Sequence, residues 1–199
     1  MGFDTRAVLA GLMVAGSLGL SGCGYYAQAV RGHMDLVGRS RPVEDVLADP
    51  AAPAELRDRL ELVLELRRFA FSELGLPDNG SYLNYAELDR PYVVWNVFAA
   101  PGDSLVPRQW CFPVAGCVVY RGYFREESAR GYARGLEADG YDVHVGGATA
   151  YSTVGWFKDP VLSTMLSADD ARLAGLLFHE LAHQQLYVKD DSGFNEAFA

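Results

Sequence analysis

Apolar residues in the first third of the mature chain recur at intervals of three and four, the helical repeat. From Gly24 to about Arg39, the residues Tyr26, Val30, His33, Met34 and Val37 fall on one side. "RPVEDVLADP" reads as one or two helical turns between Pro42 and Pro50. Pro53 then sits where a helix begins, and Leu56, Leu60, Val63, Leu66, Ala70 and Leu74 continue a stripe that Gly75 and Pro77 end.

The pattern changes after "LPDNGSYLNY". Pro91 to Ala100 is aromatic and β-branched, which predicts a buried strand turned by Pro101-Gly102-Asp103. "QWCFPVAGCVVYRGYF" reads as a hairpin with Cys111 opposite Cys117. A helix is expected from about Glu126 to Ala138, a stop at Gly140, and a strand from Tyr141 to Val145. "TAYSTVGWFKDPV" reads as another strand, broken at Asp159-Pro160. Ser167 to Asp170 resembles a capping box opening a long helix to about Leu186, and Asn195-Glu196-Ala197 starts another. Helices, then a mostly antiparallel sheet, then a long helix make an α+β fold.

The first residues add a separate element. A short start with one cation, Arg6, precedes the apolar stretch Ala7 to Leu20. As a helix that stretch reaches roughly 21 Å, short of the ~30 Å hydrocarbon core, so it is a signal peptide rather than a stable span. It ends in Leu20-Ser21-Gly22-Cys23, which resembles the bacterial lipobox. The reading is a lipoprotein signal peptide over 1–22 and one domain over 23–199, with Cys23 the lipidated mature N-terminus. A glycine rather than an aspartate at 24 favours the outer membrane over the inner, with the protein facing the periplasm. Export predicts a disulfide between Cys111 and Cys117. The net charge of −9, with no basic stripe, argues against nucleic acid as a partner.

The candidate chemistry lies in "FHELAHQQLYVKDDSGFNEAFA". His179 and His183 are one helical turn apart, so both imidazoles project from one face and can hold one zinc ion. Glu180 is about 100° round the helix, where it leans over a metal without ligating it. It would hold a water, take its proton during attack on a carbonyl and pass that proton to the leaving amine. Zinc would lower the water's pKa toward 7 and polarise the carbonyl. Glu196 completes a two-histidine, one-glutamate ligand set that leaves a fourth position open. Tyr151, Ser152, Thr153, Val154 and Gly155 read either as part of an edge strand for an extended peptide substrate or as an ordinary core strand. His144 alternates with apolar neighbours and reads as structural.

His179-Glu180-x-x-His183 with Asn195-Glu196 resembles the gluzincins, the thermolysin-like zinc peptidases. The metzincin pattern would need a glycine at 186 and a histidine at 189, where this chain has Leu186 and Lys189. "CFPVAGCVVYRGYF", "YSTVGWFKDPVLS", the terminal stretch and the lipobox are more narrowly similar to a family of bacterial lipoproteins described as aminopeptidases. That resemblance implies a zincin-like fold and peptide hydrolysis in the cell envelope. It also implies further helices beyond Ala199, carrying the residue that stabilises the transition state, so the chain reads as C-terminally truncated. The spacing between His183 and Glu196 is shorter than in thermolysin. The Gly-x-Met-Glu-Asn segment that grips a substrate's free amine in the aminopeptidases of the class is absent. Exopeptidase, endopeptidase and amidase chemistry therefore stay open. The reading from another class is a non-catalytic envelope lipoprotein that uses the fold as a binding module.

Overall fold

In the computed structural model, residues 24–112 and 116–199 are described, so the leader over 1–22 and Cys23 lie outside the described residues. Helix α1 covers residues 24–39 and runs into β1 (Ser40–Pro42), α2 (Val43–Ala48) and α3 (Ala54–Ser72). Strands β2 (Asn84–Ala86), β3 (Val94–Pro101), β4 (Trp110–Phe112), β5 (Gly116–Val118) and β6 (Arg121–Tyr123) follow. Then come α4 (Glu126–Ala138), β7 (Tyr141–Ala148), β8 (Val161–Leu162), α5 (Ser163–Leu166), α6 (Asp170–Gln185) and α7 (Ser192–Phe198). The architecture is α+β. Three small sheets replace the single sheet expected, ordered β1-β2-β8, β6-β3-β7 and β4-β5, and only the β2–β8 pair is parallel.

Two cores result. In the first, α3 packs against α6. Leu60, Val63 and Ala70 recur on the buried side of α3, and Leu173, Leu177 and Leu181 recur every four residues on α6. Each fully buried leucine contributes about 1.5–3 kcal/mol. Arg59 fixes the register by donating to the Leu166 and Ala168 carbonyls and pairing with Asp170 at the start of α6. In the second core, Trp95, Val97 and Ala99 alternate along β3, as period two requires, and meet Ala129, Ala133 and Leu136 of α4.

Cys111 and Cys117 stand opposite each other in the β4–β5 ladder and are joined by a disulfide. The hairpin also leans on the link between α6 and α7. The Cys117 amide donates to Asp190 Oδ1 at 2.7 Å, and Gly116, at φ +74°, lies so close to Asp190 and Lys189 that a Cβ would overlap them. Closing so small a loop constrains the unfolded chain by only about 2–3 kcal/mol. Reduction is therefore expected to lower the urea midpoint without abolishing far-UV helicity. Protein prepared without reductant should show no free thiol at either position, and full labelling of both would refute the pairing.

Two expectations need correction. Residues 151–160 form no strand. The buried Asp159 carboxylate accepts from the Thr153 amide, the Thr153 hydroxyl and the Ser152 hydroxyl, folding the segment back on itself. Val154 and Gly155 both take positive φ (+53° and +78°), which an extended strand cannot contain. The β-branched residues that suggested a strand are overruled by one buried acid. The capping residue of α6 is also not Ser167 but Asp169, whose side chain accepts from the Arg172 amide at 2.9 Å.

Candidate metal centre

Helix α6 carries His179, Glu180 and His183 in its last two turns, and the chain leaves it at Leu186 in an extended conformation. Asp191 restarts a helix by accepting from the Phe194 amide at 2.9 Å. Asn195, buried midway along α7, accepts from the Val188 amide and donates to the Val188 carbonyl, both at 2.8 Å. That two-way clamp folds α7 back toward α6 and brings Glu196 to the histidines.

The donor atoms converge. His179 Nε2 lies 3.1 Å from His183 Nε2, with the rings at 81° to each other. Glu196 Oε2 is 3.4 Å from His179 Nε2, and Oε1 is 3.7 Å from His183 Nε2. Ligands held at 2.0–2.1 Å around a tetrahedral ion are separated by about 3.3 Å. The observed separations bracket that value, and all three groups offer ligand atoms within 4.8 Å of one another. Two imidazole nitrogens facing each other repel unless a proton or a cation lies between them. Glu196 is the open side, its side chain 65% exposed against 11% for His183. Burial, and then the His179 ring, hold His183 below its ordinary pKa, in the neutral form that ligates. These residues fit a zinc ion. One departure is that His183 Nδ1 is buried with no hydrogen-bond partner among the described residues, where a metal-bound imidazole usually donates.

Residues from distant parts of the chain surround Glu180. Burial, then the Asp159 and Glu196 carboxylates, push its carboxyl up to about 7. Asp159 also accepts from Gln184 Nε2 at 3.3 Å, and Gln184 Oε1 accepts from Asn79 at 2.6 Å, which ties the 151–160 loop to the site helix. Thus Ser152 and Thr153 serve Asp159, while Val154 and Gly155 form the turn beside α6. Tyr82, at φ +63° and buried, has a hydroxyl with no hydrogen-bond partner among the described residues, and it feels Glu180 and Asp159. Tyr120 follows the disulfide hairpin. Burial of its hydroxyl end, then Tyr187, Glu196 and Glu180, push it up to about 12, although the residue as a whole is 39% exposed. Nothing in the spacing of Tyr120, Tyr82 or Asp159 along the chain marks them as site residues. An aspartate before a proline carries no mark of burial.

Residues 24–199 match the protein family described as "Putative aminopeptidase". The chain belongs to that family. The match spans both cores, the disulfide hairpin and both helices of the site, so family membership rests on the whole described domain rather than on one short motif. Neither the comparison with curated proteins nor that with solved structures gives a match.

Proposed function

We propose that this domain is a zinc-dependent peptide hydrolase with a zincin-like fold, held at the cell envelope by a lipid on Cys23 and facing the periplasm. One observation carries the reading: three donor groups meet at tetrahedral spacing with a largely buried glutamate next to them. Family membership supports aminopeptidase activity on peptides. His179, His183 and Glu196 hold the ion. Zinc, when bound, supplies Lewis-acid polarisation of the scissile carbonyl and makes a water a nucleophile near neutral pH. Glu180 takes one proton from the attacking water as its oxygen bonds to the carbonyl carbon. It returns that proton to the nitrogen as the C–N bond breaks, so the products are an acid and an amine. Tyr120 is protonated at neutral pH and carries a hydroxyl suited to donate a hydrogen bond to the carbonyl oxygen as charge builds there.

The deciding experiment is metal analysis of the full natural protein together with hydrolysis of short peptides. About one zinc per chain and cleavage of free but not N-acetylated peptides are expected. Less than about 0.2 zinc per chain, under conditions that preserve such sites, would leave the binding-module reading standing. Cleavage of both peptide forms would keep the hydrolase and remove the aminopeptidase. Tyr120→Phe is expected to keep zinc and lower kcat by roughly 10–10³-fold with little change in KM, since the hydroxyl acts on charge that exists only in the transition state. An unchanged kcat would remove Tyr120 from the mechanism.

A further inference from the structure

We propose that the outward side of α1, together with Trp156 and Phe157, rests on the surface of a lipid bilayer. The helix has two apolar sides. The inward one is fixed: Leu36 is buried, and Gly32 sits so close to the Phe124 ring that a Cβ would overlap it. The Gln28 amide holds Gly122 O and the Phe124 amide from the same side. With that side committed, Tyr26, Val30, Met34 and Val37 point outward, Val30 being 63% and Met34 60% exposed. At 100° per residue these four fall within an arc of roughly 80°, a continuous stripe along the helix. The Phe157 ring lies 4.9 Å from the His33 ring, so the 151–160 loop extends the stripe sideways. Trp156 (72%) and Phe157 (60%) are the exposed tips of that loop.

The position of the stripe in the chain identifies its occupant. The first residue of α1, Gly24, follows Cys23 directly, and the apolar stretch Ala7 to Leu20 comes just before. Consecutive Cα atoms are about 3.8 Å apart, so a lipid on Cys23 keeps the start of α1 at the bilayer surface. A helix in that place with one apolar side facing out meets lipid first. Its apolar residues enter the acyl boundary, Arg31 flanks the stripe, and Arg39 lies on the far side of the helix, paired with Asp35 and Asp89. Tyr26 and Trp156 have the amphipathic rings that settle at headgroup level. No helix among the described residues is long and apolar enough to cross a membrane, so the contact is interfacial. The tether holds the domain near the membrane; this face sets its orientation. The inference rests on the lipid on Cys23 in the function proposed above and is independent of the hydrolytic chemistry.

The test uses the mature chain, beginning at lipidated Cys23, in vesicles of phosphatidylethanolamine and phosphatidylglycerol with brominated acyl chains. Trp156 emission is read as the difference between the chain and its Trp156→Phe variant. Quenching of that emission to about half or less, relative to unbrominated vesicles, is expected for a side chain at the acyl boundary. Combining Val30→Gln, Met34→Gln and Val37→Gln should restore it, with the emission of the buried Trp95 and Trp110 and the far-UV spectrum unchanged. Three results would overturn the inference: a vesicle-bound chain whose Trp156 is not quenched, quenching that survives the triple substitution, or cross-linking that places this face between two copies. Failure of the chain to associate with vesicles would do the same.

Discussion

Glu180→Gln is expected to lower peptide hydrolysis by at least about 10²-fold and to leave the zinc content unchanged. The substitution keeps the shape of the side chain and one acceptor oxygen but removes the site that holds a proton between water and leaving amine. The three proposed ligands are other residues, and α6 keeps its buried face of Leu173, Leu177 and Leu181. Burial already works against the charged form of Glu180, so a neutral amide should fold at least as well. The measurement is kcat/KM beside zinc per chain. Loss of zinc in this variant would mean that Glu180 is a ligand, and retained hydrolysis would mean that the base is elsewhere.

Asn195→Ala should weaken zinc binding by roughly 10–100-fold, the usual scale for a residue that orients a ligand without being one. The Asn195 side chain makes two hydrogen bonds to Val188, at the point where the chain has left α6. Helix α7 is only seven residues long, too short to hold itself in place. Without the clamp, Glu196 keeps its chemistry and loses its position. The loss of two neutral hydrogen bonds also destabilises the link by about 1–3 kcal/mol. Competition with a chelator gives the affinity. A variant that binds zinc as tightly as the natural chain would show that Glu196 is positioned by something else or does not ligate.

Periodicity was enough to place the longer helices but not the single turn of α5. Both ends of α4 fall where the residues put them, at Glu126 and Ala138, and the strand expected over Pro91 to Ala100 covers Val94–Pro101. The grouping of His179, His183 and Glu196 could be read as well, because helical spacing and one short loop bring local residues together. What could not be read depends on contacts between distant segments. The stripe of Tyr26, Val30, Met34 and Val37 has the spacing of a core face, yet the fold buries the other side of the same helix. The 151–160 segment has β-branched and aromatic residues in the proportions of a strand, yet Asp159 curls it into a loop. The neighbours of Glu180 come from Tyr82, Tyr120 and Asp159, whose convergence leaves no periodic trace.

The centre is therefore assembled from parts of very different sequence separation. His179, His183 and Glu196 belong to one helix–loop–helix, and contacts that local close early and at small entropic cost. Glu180 acquires its surroundings only when the chain from Tyr82 to Asp159 has closed over α6. On the proposed reading, capturing the ion and becoming a catalyst are consequently separate events in the folding of this domain. A chain with a damaged sheet is then expected to take up metal still, as is one trapped part-way to the native state. Metal loading would then report on the α6–α7 pair, and turnover on the whole domain.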